Sequence, residues 1–130
     1  MIIKGNVVKG LGEAKYWVGK IEEMFKEKTG MKLFYGTLNI KLKEPYIIEN
    51  PMIILKKEEY GGTEDVLVMQ CQINDARAYI VRTNSNNSNV GDHKTDIIEV
   101  VSDVNFREKF NLKDGDLVEI RNKLKSAYIF

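Results

Sequence analysis

One cysteine, Cys71, in 130 residues leaves nothing for an internal disulfide, and a reducing interior is the simplest setting for such a chain. Charge of one sign is also missing. Twenty basic residues against nineteen acidic give a net charge of +1, which excludes the broad positive field that holds duplex nucleic acid but leaves room for a local basic pocket. No apolar run approaches the ~20 residues of a membrane helix. Met1-Ile2-Ile3-Lys4 meets a charge and then a glycine too soon for a secretory leader. The expectation is a cytoplasmic protein with neither membrane nor nucleic acid as a partner. Internal repeats and linker-like stretches are absent too, so residues 1–130 read as one domain, long enough for a core without staples. What remains is the composition of an ordinary folded protein, 43% hydrophobic and 30% charged.

Most of that composition is arranged as strands. Ile2 to Val8 is a short run rich in β-branched residues, closed by Gly10-Leu11-Gly12. From Trp17 to Lys28 the apolar residues Trp17, Val18, Ile21, Met24 and Phe25 recur at helical spacing, and Gly30 stands where a helix-terminating glycine belongs. Strands are expected at Lys32–Leu42, Met52–Lys56, Asp65–Ile73, Arg77–Arg82, Asp96–Ser102 and Leu117–Arg121, with turns at Gly61-Gly62 and Asn74-Asp75. A second, short helix fits Val104–Phe110, ahead of a tight turn at Asp114-Gly115. Many short strands with two helices point to a small closed or nearly closed barrel. Thr83 to Thr95 carries a single apolar residue, Val90, in thirteen, and reads as a mobile loop, either ornament or lid.

Four constellations carry possible chemistry. In Gly36-Thr37-Leu38-Asn39-Ile40-Lys41-Leu42 the period of two sets Thr37 and Asn39 on one face, where a hydroxyl and an amide carbonyl are hard oxygen ligands suited to magnesium. A solvated strand face explains the same pair. Gly10-Leu11-Gly12-Glu13-Ala14-Lys15, between strand and helix, would present backbone N–H groups and the Lys15 charge to a phosphate, or would form a plain turn. It lacks the endings of a Walker or a dinucleotide-binding loop. Glu99 interrupts the apolar run Asp96–Val101, so it faces either solvent or a polar cavity, because a buried unpaired carboxylate costs several kcal/mol. Asn105-Phe106-Arg107 opens the second helix, where N–H groups and Arg107 would hold a base edge or a phosphate, or Arg107 is simply surface.

Taken in order, these segments resemble the CTP-dependent riboflavin kinases typical of archaea. Gly10-Leu11-Gly12-Glu13 is similar to that family's Gly-Leu-Gly-Glu-Gly nucleotide loop, and Gly36-Thr37-Leu38-Asn39 to its Gly-Thr-Leu-Asn metal segment. Ile97-Ile98-Glu99 resembles the strand whose glutamate contacts the flavin. Phe106-Arg107-Glu108 with Leu112-Lys113-Asp114-Gly115-Asp116 resembles its Leu-Arg-Glu…Leu-Lys-Asp-Gly-Asp ending. The resemblance implies a mostly-β, six-stranded, closed cradle-loop barrel with one or two short helices, acting as a monomer on two small-molecule substrates. It implies transfer of the γ-phosphate of CTP to the 5′-hydroxyl of riboflavin, giving FMN and CDP, with Mg2+ on Thr37 and Asn39. It further implies nucleotide contacts from Gly10, Leu11, Gly12, Glu13, Ala14, Lys15, Val104, Asn105, Phe106 and Arg107. Flavin contacts would come from Thr83 and Glu99, with Glu99 the catalytic group.

Four departures stand out. Ala14 replaces the last loop glycine, where a positive φ would be strained; Leu33-Phe34-Tyr35 replaces a proline-containing lead-in; Ser102-Asp103 replaces Ala-Pro beside the expected nucleotide site; and the loop after Thr83 is longer and richer in Asn than the family's. Two other readings fit the residues: a barrel that binds flavin or nucleotide without turnover, and a DNA-binding swapped-hairpin barrel, similar through Leu112–Ile120, which the near-neutral charge opposes.

Overall fold

The computed structural model describes residues 2–10, 12, 14–90 and 94–122. In chain order the elements are β1 (Ile2–Val8), α1 (Ala14–Thr29), β2 (Leu38–Leu42), β3 (Ile53–Leu55), α2 (Lys57–Tyr60), β4 (Val66–Ile73), β5 (Ala76–Thr83), α3 (Asn84–Asn87), β6 (Ile97–Val101), α4 (Phe106–Lys109) and β7 (Leu117–Arg121). Six strands close into an antiparallel barrel in the order β4-β5-β6-β2-β1-β7, and β7 returns to β4 through the pairs Gln72↔Arg121 and Ile73↔Ile120. β3 lies outside the ring, paired to β4. The mostly-β, closed six-stranded barrel expected above is the architecture found. Among the described residues no helix is long and apolar enough to cross a membrane.

The period of two decides which side chains fill the barrel. Leu38, Ile40 and Leu42 of β2, Ile98 and Val100 of β6, and Leu67, Met69, Cys71 and Ile73 of β4 belong to one cluster of buried residues inside it. Each fully buried aliphatic side chain contributes about 1.5–3 kcal/mol through area removed from water. Burial also pushes the Cys71 thiol up to about 12.

A second cluster lies outside the barrel wall. There Val18, Ile21 and Phe25 of α1 pack against Val68, Tyr79, Val81 and Val101. Phe25 and Tyr79 meet edge to face, with centroids 5.1 Å apart. Gly30 ends α1 with a φ of 79°, and its N–H donates to the Lys26 carbonyl at 2.7 Å, as its sequence position predicts. Asn74, at the β4–β5 turn, takes a φ of 55°, which asparagine tolerates.

The single-turn helix α2 is not among the expected elements, α4 is shorter than the expected Val104–Phe110, and two further segments differ in kind. The strand expected over Lys32–Leu42 pairs only from Leu38 onward. Met31 and Leu33 are buried against α1 in the outer cluster, and the Phe34 N–H donates to the Ser102 carbonyl at 2.8 Å. This stretch returns the chain from helix to barrel, and its alternation reflects packing on the helix rather than a ladder. Thr83–Thr95, expected as a mobile loop, contains the end of β5 and then the short helix α3. Its Asn87 amide holds both the N–H and the carbonyl of Ile48, each at 2.9 Å. Polar side chains order what apolar burial could not. Residues 91–93 lie outside the described set.

Candidate active site

Because Leu38, Ile40 and Leu42 point into the barrel, Asn39 points out of it, and the same parity turns Glu99 and Val81 outward. The register places Val81 opposite Glu99, Glu99 opposite Asn39, and Asn39 opposite Val8. Directly opposed residues share a face, so these four form a row across β5, β6, β2 and β1, about 14 Å long at the usual strand spacing. A cavity of about 570 Å³ lies over this row, within the range of small-molecule sites. It sits on the outer wall, with Trp17 at the start of α1 on one side.

The β1 end of the cavity is basic and rich in glycine, lined by Lys9, Gly10, Gly12 and Arg107. Gly10 is needed here for close approach: a Cβ on it would run into the Asn39 side-chain amide. Gly12 has a φ of 83° and open space around it. Arg107 Nη2 donates to Asp114 Oδ1 at 2.7 Å and to the Val8 carbonyl at 3.5 Å, which holds the guanidinium at the end of β1. Leu11 and Glu13 lie outside the described residues, as do the side chains of Ala14 and Lys15. Ala14 opens α1.

Thr37, Asn39, Gly36 and Glu99 line the middle. Asn39 is 6% exposed, and its Nδ2 donates to Thr37 Oγ1 at 3.3 Å. The Asn39 Oδ1 atom is buried without a hydrogen-bond partner. An enclosed carbonyl oxygen left unsatisfied costs about 1–3 kcal/mol, and a hard cation beside it would relieve that cost. The residues present therefore fit Mg2+ held by Thr37 and Asn39 together with phosphate oxygens and water. Among the described residues no group of three His, Cys, Asp or Glu side chains offers a rival metal site. Glu99 is half-buried between Val81 and Asn39, outward from the barrel yet within the cavity.

The β4–β5 end carries one acidic and one basic residue, Glu64 and Arg82, and Thr63, Thr83, Ser85 and Asn86 line it with them. Thr83 also caps α3, its hydroxyl accepting the Asn86 N–H at 3.3 Å. Of Val104, Asn105, Phe106 and Arg107, expected to hold the nucleotide together with the glycine loop, Arg107 alone lines the cavity. Asn105 caps α4 by accepting the N–H groups of Arg107 (3.1 Å) and Glu108 (3.3 Å), Phe106 is buried in the barrel cluster, and Val104 packs against it. Ser102 is buried, donating to the Arg77 carbonyl at 2.8 Å, and neither it nor Asp103 lines the cavity.

Sequence reasoning missed Trp17, Thr63, Glu64, Ser85 and Asn86, which come together only through folding. It also missed Arg82. Its position continues the inward parity of Ala78 and Ile80, and a charged residue there was the available signal. The Arg82 guanidinium donates to the carbonyls of Tyr46, Thr95 (3.0 Å) and Ile97 (2.8 Å), and burial draws its pKa down. It ties the strand before Glu99 to the loop before β3.

The family model named CTP-dep_RFKase, described as a domain of unknown function, DUF120, matches residues 7–121. Three similar proteins carry the name riboflavin kinase. One, from Methanococcus vannielii, is 36% identical over 96% of this chain and 100% of its own length. The others, from Pyrobaculum aerophilum and Methanocella arvoryzae, are 33% and 30% identical over 89% and 92% of this chain. The chain spans only 58% and 56% of the lengths of those two relatives. A match across this much of the chain, with the glycine loop, the Thr37–Asn39 pair and Glu99 gathered at one cavity, shows that the chain belongs to the CTP-dependent riboflavin kinase family.

Proposed function

We propose that this chain transfers the γ-phosphate of CTP to the 5′-hydroxyl of riboflavin, giving FMN and CDP. The carrying observation is the order of residues across the outer wall: glycines and cations at β1, oxygen ligands at β2, a carboxylate at β6, and hydroxyl and amide groups beside Glu64 and Arg82 toward β5. A donor nucleotide at one end and an alcohol acceptor at the other would meet over Asn39 and Glu99. Phosphoryl transfer runs through a loose transition state, so alignment and charge neutralisation supply most of the catalysis.

In this reading Lys9, Arg107 and the backbone of Gly10 and Gly12 hold the nucleotide phosphates. Thr37 and Asn39 hold Mg2+, which when bound neutralises charge on the transferring phosphate. Glu99, one strand further on, accepts a hydrogen bond from the ribityl 5′-hydroxyl and aims its oxygen at that phosphate. Thr83 contacts the flavin. The protein in this reading acts as a monomer in the cytoplasm.

Incubation with riboflavin, magnesium and each of the four nucleoside triphosphates, read by chromatography, tests the proposal. FMN formed with CTP is the expected result. Riboflavin binding without turnover under all four conditions would instead make the barrel a flavin-binding module.

A further inference from the structure

α3 adds nothing to the barrel ladder, yet it stands against the β5 end of the cavity and is tied down on two sides. On the far side, Asn87 grips the Ile48 backbone and also accepts from Arg82 Nη1 at 3.3 Å. On the cavity side, the Glu64 carboxylate, from the loop between α2 and β4, takes the Ser85 N–H on Oε1 and the Ser85 hydroxyl on Oε2, both at 2.8 Å. Glu64, Ser85 and Asn86 all line the cavity.

We propose that Glu64 is a positioning residue for the flavin substrate. Its two-point grip on Ser85 fixes α3 as the wall of the flavin end, so a planar ring bearing carbonyl and N–H groups meets a hydroxyl and an amide already in place. This rests on the assignment of the β5 end to riboflavin. A segment this polar has little apolar surface with which to hold itself, so its order depends on such anchors. A preordered wall spares the ligand the entropy of ordering it. The nucleotide end, beyond Asn39, is untouched by the grip.

The test compares Glu64→Ala, Ser85→Ala and the double variant, with melting temperature as the folding control. In Glu64→Ala, loss of a charge-assisted bond raises riboflavin Kd (fluorescence quenching) and KM about tenfold, while CTP KM stays within about twofold. Ser85→Ala gives a smaller rise, and the double variant is no worse than Glu64→Ala, because both changes break one contact. Without any ligand, amide exchange at residues 84–88 quickens in Glu64→Ala. An unchanged riboflavin KM beside an active parent, additive effects in the double variant, a parallel rise in CTP KM or unchanged exchange would each overturn the role of Glu64. A parent protein that neither binds nor phosphorylates riboflavin would overturn the functional reading, and this inference with it.

Discussion

The two faces of β2 and β6 are built from alternate residues of the same strands and answer to different demands. Inward, Leu38, Ile40, Ile98 and Val100 are at most 2% exposed and leave no polar atom to satisfy. Outward, Asn39 keeps a buried oxygen without a partner, and Glu99 sits half-buried beside it. The inner face has been satisfied by folding alone. The outer face is left in deficit, and a deficit of hydrogen bonding at a cavity is what a ligand or an ion corrects. Stability and chemistry are thus separated by a single-residue step along each strand.

The sharpest way to break this comparison is Asn39→Leu. It should lower FMN formation by about a thousandfold or more, since metal-held charge stabilisation is worth several kcal/mol. The melting temperature should hold or rise, because an unsatisfied buried carbonyl is removed. Full turnover in the folded variant would show that the outer face does not bind the ion. Ile98→Ala, one residue from Glu99 but facing inward, should do the reverse. A chemical-denaturation curve should show a loss of about 2–5 kcal/mol, with riboflavin KM unchanged in the protein that remains folded.

Glu99→Gln keeps shape and removes charge. Losing one charge-assisted hydrogen bond, about 1.5–3 kcal/mol, should weaken riboflavin binding about ten- to a hundredfold in a fluorescence titration, with little change in stability. Unchanged affinity would return Glu99 to the role of a surface residue. The smallest effect is expected on the outer face away from the cavity, where Lys41 Nζ donates to Asp96 Oδ2 at 2.7 Å. That hydrogen bond holds the Asp96 carboxyl below its ordinary 3.8. A depressed folded pKa contributes stability above 3.8 that is lost as pH falls through the lower folded value. Melting temperatures below pH 4 should therefore fall less steeply in Lys41→Met than in the parent. An identical acid limb in both would leave the pair without thermodynamic weight.

Much of this contrast was legible before folding. Alternation in 38–42 and 97–101 separates Asn39 and Glu99 from the apolar set, and the helical spacing of Val18, Ile21 and Phe25 marks the face that covers the outer wall. Alternation misled where it had no ladder behind it, at residues 32–37. Composition did not show the short helix at 84–87, where Thr83 caps and Asn87 binds backbone through side-chain hydrogen bonds that a hydrophobicity reading does not register. The nucleotide stretch Val104–Arg107 divides for a similar reason. Asn105 is consumed as a helix cap and Phe106 as core, leaving Arg107 alone at the cavity.

Local physics set the strands, the α1 face, the Gly30 terminus and the outward parity of Asn39 and Glu99, because each depends on a spacing of two to four residues. Only the closed barrel decided that Asn39 stands beside Glu99 and beneath Gly10, that Arg82 bridges loops far apart in the chain, and that Glu64 reaches Ser85. Those neighbours are brought together by register and closure, and no local window of the chain contains both members of any of these pairs.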